Sequence, residues 1–67
     1  MTESTRTYYY VFDEAMQEKI IDMVFIKGEW DTEQEATEFA GRMKQKYPDH
    51  SFTVRRVHTV VSDCATI

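Results

Sequence analysis

The sequence predicts a small α+β domain in the order strand–strand–helix–strand. Its three-stranded antiparallel sheet, in spatial order 2-1-3, packs on one helix. Three observations carry this. Thr32–Tyr47 has one apolar helical face and boundary signals at both ends. Thr7–Phe12 is a run of aromatic and β-branched residues. Ser51–Val61 opens with apolar–polar alternation. At 67 residues the chain has room for one domain. The expected layout is a flexible N-terminus over 1–6, a folded domain over 7–62 and a flexible tail over 63–67.

The first strand is expected over Thr7–Phe12, and the polar stretch Asp13–Gln17 supplies a hairpin loop. Lys19–Trp30 holds Ile20, Ile21, Val24, Phe25 and Ile26 and is favoured as the second strand, with a bulge or bend at Gly28. A helix over 14–27 competes with it. Met16, Ile20, Met23 and Val24 also fall at helical spacing, with Asp13 as N-cap and Gly28 as C-cap. In the strand reading both faces are apolar, with Ile21, Met23 and Phe25 on one side and Ile20, Val24 and Ile26 on the other. Either a partner or second copy covers the open face, or the helical alternative holds.

The main helix is the clearest element. Thr32 and Glu35 form a capping box, and Ala36, Phe39, Ala40, Met43 and Tyr47 line one face. Acids load its first half, while Arg42, Lys44 and Lys46 load its end, each complementing the helix dipole. Pro48 stops it. Gly41 costs about 1 kcal/mol relative to alanine, and close approach to the sheet is its expected use. In the last strand Phe52 and Val54 alternate with Thr53 and Arg55, and Arg56 then stands where an apolar residue is due. Either a bulge turns Val57 inward, or Arg56 projects from an otherwise apolar face.

Composition excludes several classes. Four tyrosines, four phenylalanines and a tryptophan argue against disorder. No apolar run reaches the roughly 20 residues of a membrane span, and the polar N-terminus lacks a signal pattern. A soluble, cytoplasmic protein is expected. Cys64 stands alone, so no internal disulfide forms. The net charge of −4 opposes bulk attraction to nucleic acid. That charge is uneven: Glu29, Asp31, Glu33, Glu35 and Glu38 form an acidic segment, and the basic residues follow it.

Catalytic chemistry finds no constellation. The glutamates belong to the exposed start of a helix, and His50, His58 and Cys64 lack metal-ligand spacing. No elbow motif positions a serine. No enzyme, metal or cofactor is expected. Tyr8, Tyr9 and Tyr10 could stack bases, but alternate residues face opposite ways and the local cations are few. Arg55 and Arg56 are the best functional candidates. They are adjacent on a strand, so one faces away from the core, where its guanidinium fork suits a carboxylate or phosphate. The competing explanation is an edge strand charged against aggregation.

At Thr32–Val57 the chain resembles the small host RNA-polymerase inhibitor family of short-tailed coliphages. The resemblance rests on the helix opened by threonine and acids and on Phe52-Thr53-Val54-Arg55-Arg56-Val57-His58, and it covers roughly half the chain. It implies a phage-encoded protein that binds the jaw of the bacterial polymerase and blocks open promoter complexes. The family's third-strand arginines map onto Arg56 and onto His58, where histidine replaces arginine. The expected partner-binding residues are therefore Arg55, Arg56, His58, Arg42 and Lys46. The acidic segment Glu29–Glu38 is the alternative face, acting as a nucleic-acid mimic. Two other readings stand beside polymerase inhibition: an anti-CRISPR or other anti-defence inhibitor, and a homodimeric nucleic-acid-binding module.

Overall fold

The computed structural model describes residues 2–67. β1 (Thr2–Asp13), β2 (Glu18–Ile20), α1 (Glu33–Lys46) and β3 (Phe52–Asp63) follow in chain order. The sheet is antiparallel in the order β2-β1-β3. This is the expected α+β architecture and topology.

The helix keeps its expected limits. Thr32 is the N-cap and its Oγ1 accepts from the Glu35 amide. The Thr32 hydroxyl in turn donates to the Glu35 carboxylate at 2.9 Å. Tyr47 is the C-cap, just before Pro48. Ala36, Phe39 and Ala40 are buried, and Met43 packs against them from the edge. The core is completed by Val11 and by Trp30, whose ring stacks on Phe39 with centroids 4.8 Å apart. Gly41 does not serve the close approach to the sheet that the sequence suggested: a Cβ there meets nothing within 4 Å.

β1 begins at Thr2, five residues upstream of the expected start at Thr7. Thr2–Arg6 pair with Thr59–Asp63 of β3, so the segment expected to be a loose end is strand. Cross-strand partners outweigh its polar composition. Met1 lies outside the described residues. At the other end, Cys64–Ile67 follow β3 without regular structure.

The largest correction concerns residues 19–30. Neither a long strand nor a helix forms there. β2 ends at Ile20, and Asp22 and Lys27 then pair across a four-residue turn, Met23–Ile26. The carboxylate of Asp22 accepts the Val24 amide at 3.0 Å, and Ile26 takes the left-handed conformation at φ 51°. The Asp13–Glu18 turn is built the same way: Asp13 accepts the Ala15 amide and Gln17 has φ 55°. An aspartate that bonds the backbone two residues on starts a turn whatever follows it. The chain returns to the sheet at Trp30, whose backbone N–H and C=O both pair with Tyr9 at 2.8 Å.

Length then decides the shape. A 14-residue helix spans ~21 Å, whereas a 12-residue strand spans ~40 Å. The helix therefore covers half of the β1–β3 pair, and the remainder continues as a bare two-stranded ribbon. The molecule measures 47 × 21 × 21 Å.

Candidate functional site

Register assigns the two arginines. Pairing of β1 with β3 runs without a bulge from Asp13–Phe52 to Thr2–Asp63. Val54 lies opposite Val11 and packs on the core. Arg56 lies two positions on, opposite Tyr9, so it is on the helix-side face just where the helical cover ends. Of the two alternatives open in the sequence, the projecting arginine is the one that occurs. Val57 points to the other face, opposite Tyr8.

Arg55 is engaged. Its guanidinium lies 3.8 Å from the centroid of Phe12, donates to the Tyr10 hydroxyl at 3.4 Å and sits 3.8 Å from Glu14. Arg56 is exposed and makes no ion pair or side-chain hydrogen bond among the described residues. Beyond it on the same face come His58 and Val60, opposite Thr7 and Thr5. His58 Nδ1 is 2.8 Å from the Thr7 hydroxyl, which fixes the ring, and Val60 is exposed. The result is a cation, an imidazole and an isopropyl group in a row on a paired backbone.

Arg42 and Lys46 do not join this row. Arg42 reaches across to Asp22 at 3.4 Å and covers the Phe39 ring. Lys46 lies over Tyr47 at the far end of the helix. Of the expected basic set, only Arg56 and His58 share this face, and neither pairs with an acid among the described residues. The acidic segment is also less bare than its sequence suggests. Glu29 bridges Arg6 at 2.7 Å and Lys19 at 3.6 Å, and Glu35 lies 3.9 Å from Lys27. Asp31, Glu33 and Glu38 lack a cation partner among the described residues.

The open face of the sheet gathers Tyr8, Tyr10 and Phe12. Each ring is already covered: Arg6 lies over Tyr8, Lys19 over Tyr10 and Arg55 over Phe12. The same cations reach Glu29 and Glu14. Base stacking there has to displace these contacts first.

Two features were not foreseen from sequence. Asp13 is buried at the end of β1, where it accepts from the Ala15 and Met16 amides and from His50 Nδ1 at 2.8 Å. Burial alone raises its pKa. The His50 hydrogen bond, the Met16 and Ala15 amides and the His50 charge outweigh that, and the net shift is downward. His50 is stacked between Tyr47 and Phe52, so this Asp–His pair ties the helix end to the central strand β1 and to β3. The second is that the apolar surplus expected on a sheet face is carried instead by a turn, Met23–Ile26.

Among the described residues, no group of three His, Cys, Asp or Glu side chains converges to hold a metal ion. No helix among them is long and apolar enough to cross a membrane. The fold and the strand define a small α+β domain that presents, on the edge strand β3, an arginine without an acidic partner among the described residues. Comparison with protein-family models, curated proteins and solved structures gives no match.

Proposed function

We propose that this chain is a small inhibitory binding protein of phage or prophage type. It blocks a host enzyme by protein–protein contact in the host cytoplasm, and bacterial RNA polymerase is the most specific target. It acts by occupying a surface and carries out no reaction. The observation that carries this reading is Arg56: exposed, without an acidic partner among the described residues, and held by a strand paired along its whole length. Arginine so presented suits bidentate pairing with a partner carboxylate and is common at interface hot spots. The resemblance to the coliphage inhibitors places their third-strand arginine at this position.

The test is affinity for purified bacterial RNA polymerase, with promoter-dependent transcription measured alongside. Arg56→Glu sets like charges against an acidic target and should weaken binding by on the order of 30-fold or more. Circular dichroism should not change, because Arg56 supports nothing internally. Arg55→Glu should alter stability more than affinity. Parent-like binding by Arg56→Glu removes β3 from the interface and moves attention to Asp31, Glu33 and Glu38. Failure of the parent to bind polymerase, with capture of a defence effector from host lysate, favours the anti-defence reading.

A nucleic-acid module is supported by one observation, the clustering of Tyr8, Tyr10 and Phe12 with three cations on the open face. Affinity for single-stranded DNA that falls steeply with salt would favour it over the protein target.

A further inference from the structure

The turn after β2 does the opposite of what a surface turn usually does. Met23, Val24, Phe25 and Ile26 are 74%, 82%, 75% and 74% exposed. They stand together at the end of a hairpin-like protrusion closed by the Asp22–Lys27 pair. Ile26 adds a second oddity. A β-branched residue at φ 51° is strained, and glycine or asparagine takes that conformation freely. An isoleucine stands where the backbone disfavours it and where most of its side chain lies outside the core.

Beside this protrusion, on the same side of the molecule, lies a shallow groove between the helix and β2. Met16, Ile20, Met23, Met43 and Tyr47 line it. Methionine side chains adapt to irregular apolar shapes, so such a groove suits a blunt apolar knob. The protrusion is such a knob.

We propose that the Met23–Ile26 turn and this groove form a self-complementary interface with a second copy of the chain. Three observations favour a second copy over other occupants. The first is area. With Met16, Ile21 and Tyr47, the four turn residues expose on the order of 900 Å² per copy in all, so a contact that covers most of it reaches the ~800 Å² that each partner gives to a stable standard-size interface. The second is symmetry. A twofold interface needs knob and hole on one surface, so that each copy fills the other. Met23 belongs to both. The third is charge. Most charged groups at the turn and groove are paired within the chain, Asp22 with Arg42 at 3.4 Å, Lys27 with Glu35 at 3.9 Å and Lys19 with Glu29 at 3.6 Å. Glu18 is the acid at the groove rim without a cation partner among the described residues. Identical copies therefore meet there with little like-charge repulsion, Glu18 aside, although each carries −4 overall. An anionic lipid surface gains no excess of cations from the same border.

Sedimentation velocity from about 1 μM to about 1 mM tests this over the range in which a modest dimer dissociates. The parent should pass from monomer to dimer, with a dissociation constant little changed by salt. Phe25→Asp should raise that constant by on the order of 30-fold or more and leave the circular dichroism spectrum intact, since Phe25 lies outside the core. Ile26→Asn should also weaken the dimer, while its thermal midpoint under monomeric conditions stays level or rises as strain is relieved. A parent that remains monomeric to the highest concentration overturns the proposal, and co-sedimentation of that monomer with anionic vesicles would assign the turn to lipid instead. A dimer equally tight in Phe25→Asp or in Ile26→Asn overturns it too.

Discussion

Replacing Phe39 by alanine should unfold most of the protein at 25 °C. Phe39 is 3% exposed and stacks on Trp30, and the Arg42 guanidinium covers its ring. The buried apolar set is Val11, Trp30, Ala36, Phe39 and Ala40. The alanines contribute little volume, so the core is in effect one valine and two stacked rings. Deleting a buried phenylalanine side chain costs about 3–5 kcal/mol, including ~0.5–1.5 kcal/mol of lost ring–ring contact. A core in a domain of this size supplies roughly 3–5 kcal/mol in all. The loss therefore equals the whole margin. Urea titration, followed by Trp30 fluorescence and far-ultraviolet circular dichroism, reads it directly. It should be run at the lowest workable concentration, so that association adds nothing to stability. Phe39→Leu retains most of the volume and should remain folded with a lower midpoint. If Phe39→Ala unfolds cooperatively within about 1 kcal/mol of the parent, the stacked pair is not the centre of the core.

Gly41→Ala should stabilise the domain by about 1 kcal/mol, since the added methyl meets no neighbour and alanine is the better helix former; a urea midpoint no higher than the parent's would contradict this. Thr32→Ala removes an N-cap seen in both of its hydrogen bonds and should cost ~1 kcal/mol by the same titration. Arg55→Ala should cost ~0.5–1 kcal/mol through loss of the Phe12 contact, whereas Arg56→Ala should stay within about 0.5 kcal/mol of the parent. Asp13 governs the acid limb. Its pKa is lower folded than unfolded, so its contribution is complete above its ordinary value of 3.8 and is lost as pH falls through the lower folded value. Thermal midpoints against pH should therefore drop below that point, and Asp13→Asn should flatten the drop.

What could be read beforehand follows local chemistry. The helix was legible because Thr32, Glu35 and Pro48 mark its ends independently of any partner. β3 was legible through Phe52 and Val54, although only pairing with β1 could say which way Arg56 points. Residues 20–26 misled because an apolar run signals burial. Here Asp22 turns the chain and leaves four apolar residues outside. Thr2–Arg6 were unreadable for the converse reason: their strand exists through the partner Thr59–Asp63, which no local pattern reveals. Asp13 and His50 are 37 positions apart, and nothing in either neighbourhood announces the other.

The bare ribbon has a consequence for how the chain folds and breathes. β1 takes most of its hydrogen bonds from the element most distant in sequence: Thr7 meets His58 across 51 positions. The length-dependent part of closing such a loop costs about 3.5 kcal/mol before a single rung forms. The helix and the Asp13–Glu18 turn close locally and should precede it, and zippering of β1 on β3 should limit the rate. Run in reverse, the same pairing opens from the tip, because rungs beyond Tyr9 and Arg56 have no helix above them. Amide exchange should then grade along the β3 amides that face β1, fast at Val61 and slow at Thr53. Arg56 falls at the boundary, anchored on one side by the core and continued on the other by a compliant arm.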